Sequence, residues 1–486
     1  MRNGNIIKAL AISGVVASVG AAPAFAGSAD DTKPKCQDVV CHWDNGDPLT
    51  LAGITLYGTV DAGYDYVPHG AGISPTNNTS QTYIISKNSG GPVSGWVGSP
   101  LETSKLGLKG TEKLWADTSF VFKVETGFNP VSGRLVDGIG ALAADNGLSP
   151  APTTASDSSR AGQIDEGAAW AGLSDKKLGT LTFGRQNAIF LDTMYGGDPM
   201  GGAGAFGLIG FSGTYGGGAG DTEDSRLDNS FRYANVINGI RVGAQYQTAT
   251  ATDGGQGFQF GLGADPVKGL SIDAAYANKT GGISAASLKS SEMGSLGPLG
   301  LASDKTVDAT LSDNQAFALT AKYDGGPLKL FGGYEYITQG NSSNPESIVT
   351  ATAGNISQTI GGYNLLTVSN TTYDSNRISQ LVWAGVKYNF TNQLSGTTAY
   401  YHLWQNDYLT GAKSLDCAAN TKANKGVTQS NCSGLEDVVS ALLDYQIDKH
   451  WDTYVGAEYS AANGGLASGF LNDTDTSVTG GLRLKF

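Results

Sequence analysis

The chain has 486 residues, with 31 lysines and arginines against 44 aspartates and glutamates and a formal net charge of −13. This acidic balance argues against a nucleic-acid-binding protein, because phosphate backbones attract basic surfaces. Beyond the N-terminus no segment approaches the ~20 consecutive apolar residues that a membrane-spanning helix needs, and the hydrophobic fraction is only 40%.

Residues 1–26 have the pattern of a secretory signal peptide. Arg2 and Lys8 precede an apolar run (Ala9 to Val19), and the sequence APAFA follows it before Gly27. A positive start, a short apolar core and a small-residue cleavage motif are typical of export signals. The run is too short for a membrane anchor, so we expect a mature chain that begins at Gly27.

An N-terminal extension of residues 27–48 carries two of the four cysteines. An even number of cysteines in an exported chain predicts two disulfides. The preferred pairing is local, Cys36 with Cys41 and Cys417 with Cys432, although four cysteines allow three connectivities. The spacing in CQDVVCH is too long for the haem-attachment motif C-x-x-C-H. We therefore expect no cofactor, and no metal site.

From about residue 49 onward, about sixteen segments alternate between apolar and polar residues. This period of two is typical of β-strands whose faces meet different solvents. The first segment places on one face Ile54, Leu56, Val60, Ala62, Tyr64 and Tyr66, and on the other Thr55, Tyr57, Thr59, Asp61 and Asp65. A later one, RLDNSFRYA, places Leu227, Phe231 and Tyr233 opposite Arg226, Asp228, Ser230 and Arg232. The last, SVTGGLRLKF, places Arg483 and Lys485 on its polar face and ends on the apolar Phe486.

The connections between these segments alternate in length. Short links such as DGGP (324–327) and FTNQ (390–393) lie between long ones such as 130–165 and 338–377. Loops of that length are unusual inside a compact domain, but they are ordinary in an up-and-down barrel with tight turns at one end. A soluble β-sandwich is the alternative, and it fits such loops poorly. We therefore predict an all-β, transmembrane antiparallel β-barrel with an apolar outer face and a polar lumen.

Aromatic residues mark the short-turn end of the predicted barrel. They are Trp115, Phe390, Trp451 and Phe486. Aromatic rings favour the headgroup region of a bilayer. An aromatic girdle at this end would explain why the chain stops on a large apolar side chain.

Five pieces of the sequence, in this order, resemble the Gram-negative general diffusion porins of proteobacteria outside the enteric group. They are ITLYGTVDAGYDY, SKLGLKG followed by FKVETGFN, AWAGLSDKKLGTLTFGRQ, DSRLDNSFRYAN and the ending LRLKF. The resemblance implies a sixteen-stranded barrel over residues 49–486, integral to the outer membrane of a Gram-negative bacterium and usually a homotrimer. It also implies contact with outer-membrane lipid and lipopolysaccharide, and recognition of Phe486 by the barrel-insertion machinery.

The same resemblance implies that the third external loop, about residues 186–225, folds into the lumen and forms a constriction. Lys105 and Arg226 stand where relatives carry an arginine at this constriction, whereas Gly167 stands where many relatives place another. Further basic candidates share the lumen parity of their strands or lie at the root of the loop: Lys109, Lys123, Arg232 and Arg185. The acidic candidates on the loop are Asp192 and Asp198, followed near its exit by Asp221, Glu223 and Asp224.

The function that the resemblance implies is a water-filled channel for passive diffusion of small hydrophilic solutes and ions, without enzymatic activity. Opposed charges across a narrow, wet gap would act on each passing solute. The alternatives are a substrate-specific channel and a non-conducting structural or adhesive barrel. The four histidines form no H-E-x-x-H motif, and the glycine-rich loop has no G-x-x-x-x-G-K-[ST] motif. The net acidity suggests cation preference, unless the constriction residues decide it.

Overall fold

A computed structural model describes the chain over residues 39–69, 73, 91–147, 167–210, 226–249, 255–343, 359–360, 362–410, 430–467 and 472–486. Outside these ranges lie the predicted signal peptide, Cys36, Cys417, Asp221, Glu223 and Asp224. Cys41 and Cys432 are each disulfide-bonded. Their local pairing with Cys36 and Cys417 stays a prediction.

The first ten strands are β1 (Leu49–Leu51), β2 (Ile54–Val67), β3 (Val93–Gly98), β4 (Lys105–Trp115), β5 (Thr118–Gly127), β6 (Ala168–Asp175), β7 (Gly179–Asn187), β8 (Arg226–Ile237), β9 (Ile240–Gln247) and β10 (Gly257–Val267). The next are β11 (Leu270–Ala286), β12 (Thr306–Asp324), β13 (Leu328–Asn341), β14 (Thr359–Ile360), β15 (Tyr363–Ser369), β16 (Arg377–Asn389), β17 (Leu394–Gln405), β18 (Gly434–Gln446), β19 (Trp451–Gly464) and β20 (Thr474–Lys485). The helices are α1 (Val39–Asn45), α2 (Gly138–Ala144), α3 (Ile189–Gly197) and α4 (Met293–Leu299). None of the described helices has the length and hydropathy to cross a membrane.

The strands form one closed antiparallel barrel. Strands β3 and β4 make up a single barrel strand, because β4 pairs with the first half of β2 and β3 with the second half. The strands β14 and β15 belong to an external loop, so β13 pairs with β16. At the closing seam β20 returns to β2, with Thr59 opposite Lys485 and Tyr66 opposite Val478. The predicted sixteen-stranded barrel is confirmed in the described chain.

The outer surface of the barrel is apolar, as the alternation predicts. Tyr64 and Tyr66 of β2 are 47% and 46% exposed, whereas Asp61 and Asp65 point inward and are buried. Trp115 and other aromatic side chains lie at the short-turn end, where the girdle was expected. An apolar outer surface suits the hydrocarbon of a bilayer. The closed barrel also leaves no strand edge unpaired in lipid.

The prediction for Leu227 is wrong. Leu227 is buried at 2% exposure, although Phe231 of the same strand and the same predicted face is exposed. The pairing of β7 with β8 shifts register between Gly184 and Gln186, and Asn229 opposite this region has a positive φ of 49°. This β-bulge reverses the face to which the side chains at the start of β8 point. A strict period of two therefore does not hold along the strand.

Parts of the long external loops pack together beyond the barrel rim. Strand β15 lies parallel to the extended start of β12. Ile139 and Leu142 of α2 share an apolar cluster with Val307 of β12 and Leu365 of β15. The described parts of these loops are therefore held by a small core of their own.

Helix α1 of the N-terminal extension packs on the short-turn rim of the barrel. Trp43 stacks on His450, in the turn between β18 and β19, with ring centroids 4.1 Å apart. The two ring nitrogens of His450 lie 2.8 Å from the carbonyl oxygen of Trp43 and 3.0 Å from that of Lys485. Lys449 Nζ donates to the carbonyl oxygen of Asn45 at 2.6 Å. The extension is thus fastened to the last two strands.

The same helix partly covers the C-terminal residue. The rings of Trp43 and Phe486 lie 6.3 Å apart. Phe486 is also bound to the first barrel strand, because its backbone carbonyl and amide pair with those of Gly58 at 2.9 Å and 3.1 Å. The extension therefore spans the seam at which the barrel closes.

We expect the substitution His450→Ala to release α1 from the rim. It removes the stacking partner of Trp43 and both contacts to carbonyl oxygens, which together are worth about 1–2 kcal/mol. Hydrogen exchange of the amides of residues 39–47 should accelerate severalfold. His402→Ala is the matched control, since His402 contacts Asp437 on the outer face. Equal exchange in both variants would mean that His450 does not hold the helix.

Candidate pore constriction

The third external loop runs from residue 188 to residue 225 between β7 and β8, and its described part, residues 188–210, lies inside the barrel. Two glutamine side chains of the wall hold its first helix. The amide of Ile189 donates to Gln245 Oε1 at 3.0 Å, and the amide of Phe190 donates to Gln259 Oε1 at 2.9 Å. The first N–H groups of a helix lack partners within the helix. The wall therefore caps α3 and fixes where the loop begins.

An apolar core joins the constriction loop to the inner wall. The loop contributes Ile189, Phe190, Met194, Met200, Phe206 and Ile209. The wall contributes, from β11 through β19, side chains that include Ala277, Ala318, Trp383, Tyr401 and Val438. Trp383 also donates its Nε1–H to the carbonyl oxygen of Gly197 at 2.9 Å. Residues 188–210 thus cover this part of the wall, and they do not cover the strands on the other side of the lumen.

Two wall glycines allow the loop to come this close. A Cβ atom on Gly261 of β10 would lie 2.6 Å from Ile189 Cγ2, and one on Gly456 of β19 would lie 2.5 Å from Phe206 Cε1. Both distances are far below van der Waals contact. A larger residue at either position would displace the loop from the wall.

Asp198 lies at the end of α3 and is buried at 2% exposure. Its carboxylate accepts hydrogen bonds from Tyr401 Oη at 2.6 Å, the amide of Gly202 at 2.7 Å and the amide of Met200 at 3.3 Å. Burial raises the pKa of Asp198, and these hydrogen bonds act in the opposite direction. The carboxylate faces the wall, so it holds the loop in place rather than facing the open lumen.

Asp192, the other acidic candidate on the described part of the loop, is paired with the wall. Arg232 of β8 donates to Asp192 at 2.5 Å and to the carbonyl oxygen of Asn187 at 2.9 Å. The side chain of Asp192 is 10% exposed. Arg185 makes a similar local pair with Asp228 at 2.5 Å. These four charges fasten the root of the loop to β7 and β8.

An inward turn, residues 99–104, interrupts the barrel strand made of β3 and β4. Asp61 Oδ2 accepts the amides of Leu101 at 2.7 Å and Glu102 at 2.8 Å. Leu101 enters the apolar core of the constriction loop. A backbone carbonyl of the turn accepts the amide of Ala205 at 3.0 Å. The wall and the loop therefore meet at this turn.

Basic side chains line the wall strands β4 and β5 next to this turn. The ammonium groups of Lys109 and Lys123 lie 5.2 Å and 5.6 Å from the ring centre of Tyr57. Glu125 accepts a hydrogen bond from Tyr57 Oη at 2.9 Å and pairs with Lys123 at 3.1 Å. One carboxylate thus stands among several cations.

Lys105 and Arg226, the two candidates with the closest match to the porin pattern, belong to the same group. Both lie near enough to Glu125 to stabilise its negative charge. A Cβ atom on Gly167 would lie 2.5 Å from Glu125 Oε1, so the position where many relatives place an arginine also adjoins this carboxylate. The structure brings Lys105, Lys123 and Arg226 together around Glu125, and their role at a constriction stays a prediction.

Sequence reasoning missed a second set of charges beside Lys105. Glu102, on the inward turn, pairs with Lys105 at 3.1 Å, Lys485 at 2.7 Å and Arg483 at 3.5 Å. Arg483 Nε also lies 3.1 Å from each carboxylate oxygen of Asp452. The sequence already places Arg483 and Lys485 on the polar face of the last strand. Their contact with Glu102 becomes evident only from the pairing of β20 with β2.

The arrangement suits ion and solute passage. Charged side chains that are partly exposed surround an open lumen, and the loop narrows that lumen from one side. Within the described ranges no group of His, Cys, Asp and Glu is placed to hold a metal ion. The side chains can therefore act on a passing solute through charge and hydrogen bonding.

The sequence matches a known family and a known protein. A family model described as Gram-negative porin matches residues 9–483. An outer membrane porin protein of Bordetella pertussis is 26% identical over 210 residues, which cover 43% of this chain and 42% of that protein. The match therefore spans less than half the length of that relative.

Solved structures share the fold at low identity. The anion-selective porin from Comamonas acidovorans matches with a TM-score of 0.54 and 16% identity, over 89% of this chain and 99% of that chain. The trimer form of OmpT, an outer membrane protein of Vibrio cholerae, matches with a TM-score of 0.51 and 12% identity, over 89% of this chain and 99% of that chain. At these identities the likeness concerns the fold and not the solute preference.

Proposed function

The chain belongs to the Gram-negative porin family, and we propose that its channel prefers small anions to cations. As a porin it is an integral outer-membrane β-barrel through which small hydrophilic solutes diffuse passively. Charges on external loops are screened within ~8–10 Å at physiological salt. The charges at the constriction, rather than the net charge of the chain, therefore decide selectivity.

The observation that carries the proposal is the position of the loop acids. Asp192 is paired with Arg232 and Asp198 is buried, so neither carboxylate faces the open lumen within the described part of the loop. On the uncovered wall, in contrast, the side chains of Lys105 and Lys123 are 24% and 27% exposed. A passing ion therefore meets the wall cations rather than Asp192 or Asp198.

The balance of charge on the uncovered wall is positive. Six basic side chains belong to this part of the wall: Lys105, Lys109, Lys123, Arg226, Arg483 and Lys485. The carboxylates that pair with this group are those of Glu102, Glu125, Asp444 and Asp452. This excess of positive charge in a narrow gap raises the local concentration of anions. The porin of similar fold from Comamonas acidovorans is anion-selective, so the fold is compatible with this preference.

The experiment is a measurement of ion selectivity. Purified protein is added to a planar bilayer that separates two KCl solutions of tenfold different concentration. We expect stepwise conductance and a zero-current potential with the sign of a chloride-preferring channel. A potential of the opposite sign would contradict the anion preference. Well-folded protein without any conductance would contradict the channel itself.

We also propose the assembly that the porin family implies. A homotrimer in contact with outer-membrane lipid and lipopolysaccharide is supported by the trimer form of OmpT from Vibrio cholerae. The terminal Phe486, on the outer face of the last strand, would be read by the barrel-insertion machinery. The disulfides would tie the extension and an external loop locally.

A further inference from the structure

The backbone of the inward turn places Glu102 in the lumen, and Thr59 Oγ1 donates to Glu102 Oε1 at 3.2 Å. Asp61 accepts the amides of Leu101 and Glu102 and, through its other carboxylate oxygen, the hydroxyl of Tyr454 at 2.6 Å. Ser99 and Ser104 close the turn, because the amide of Ser104 donates to Ser99 Oγ at 2.7 Å. The turn therefore keeps its shape whatever the charge on residue 102.

Three cations from two strands converge on this one carboxylate. Lys105 of β4 contacts Oε1, whereas Lys485 and Arg483 of β20 contact Oε2. The side chains of Glu102, Lys105 and Lys485 are 23%, 24% and 28% exposed, so all three meet water in the lumen. The same three cations would attract a small carboxylate or phosphate ion that passes through the lumen.

We propose that Glu102 limits the anion preference of the channel by acting as a fixed counter-ion for Lys105, Arg483 and Lys485. A permeating anion competes with the Glu102 carboxylate for the same cationic groups and binds them weakly and briefly. Weak binding permits fast exit, which conduction requires. Without the carboxylate, Lys105 and Lys485 form an open site for small carboxylates and phosphate, beside Arg483, which stays paired with Asp452. This inference deepens the proposed anion preference and rests on it for the direction of the wild-type selectivity.

The test compares zero-current potentials in a tenfold KCl gradient for wild type, Glu102→Gln and Asp117→Asn. Asp117 carries the same charge, but it lies 50% exposed in the periplasmic turn after β4. We expect Glu102→Gln to raise the chloride-to-potassium permeability ratio about threefold, as expected for one unit charge a few ångströms from the ion path in water. Asp117→Asn should leave the ratio unchanged.

A second variant separates charge from local structure. Lys485→Gln should shift the ratio toward potassium, and the double variant Glu102→Gln/Lys485→Gln should return it close to the wild-type value. In addition, added inorganic phosphate should block chloride current more strongly in Glu102→Gln than in wild type. Each variant is first checked for the heat-dependent gel mobility of a folded barrel.

The outcomes distinguish this inference from the proposed function. A Glu102→Gln shift no larger than that of Asp117→Asn, or no recovery in the double variant, would overturn the role of Glu102. A potassium-preferring wild type whose ratio still rises about threefold in Glu102→Gln would refute the anion preference and support the role of Glu102.

Discussion

The double substitution Lys105→Glu with Arg226→Glu is expected to convert the channel from anion to cation preference. Each reversal changes the charge at the constriction by two units. A unit charge at about 4 Å contributes roughly 1 kcal/mol even in bulk water. Four units should therefore change the chloride-to-potassium permeability ratio by at least about tenfold. The zero-current potential in a KCl gradient should reverse its sign.

The matched control for this reversal is Lys176→Glu with Lys177→Glu. These lysines lie in the turn between β6 and β7, and Lys176 is 64% exposed. The same change of charge there should leave the potential within a few millivolts of wild type, because water and salt screen it. Neutral variants, Lys105→Gln with Arg226→Gln, should give an intermediate value. A reversal by the control, or none by the constriction variant, would show that selectivity is set elsewhere.

The substitution Asp198→Ala is expected to free the tip of the constriction loop. It leaves the hydroxyl of Tyr401 and the amides of Gly202 and Met200 without an acceptor in an apolar core. Each buried unsatisfied group costs about 1–3 kcal/mol, so the packing of the loop against the wall loses several kcal/mol. We expect frequent partial closures and increased open-channel noise in single-channel recordings.

Two controls locate the cause of that noise. Asp198→Asn keeps one oxygen acceptor, and Tyr401→Phe removes a single hydrogen bond, so both should give smaller increases than Asp198→Ala. None of the three should move the zero-current potential, because the carboxylate does not face the lumen. A shift toward chloride in Asp198→Asn would instead place this acid in the ion path, as the resemblance alone implied.

The fold could be predicted because apolar and polar residues alternate with a period of two in most strands. The outward residues of β2 follow the predicted face, and β20 pairs with β2 so that Phe486 lies at the rim. The prediction failed for Leu227, where a bulge changes the register of β7 and β8. The bulge includes Asn229, which has a positive φ. Nothing in the alternating sequence marks this residue as the site of a bulge.

The site could be predicted only in part. The resemblance places Lys105, and strand parity places Lys123, on the lumen side, where both side chains are partly exposed. Neither says which acid each cation contacts. The inner apolar core was not predicted, because inward residues such as Trp383 and Tyr401 are apolar where a water-filled lumen favours polar side chains. The one clue in the sequence is that these apolar side chains fall on the strand face that should point into the lumen. The net acidity of the chain suggests cation preference, but it averages over loops that lie far from the constriction.

The position of helix α1 has a consequence for the order of assembly. Its ring contacts are with His450, in the turn between β18 and β19, and with Phe486 at the end of β20, which itself pairs with Gly58 of β2. Helix α1 precedes the described strands in the chain, yet it meets these partners only once the last strand is in place. Until then the ring of Phe486 lacks its contact with Trp43. Afterwards the helix packs over the end of the closed barrel.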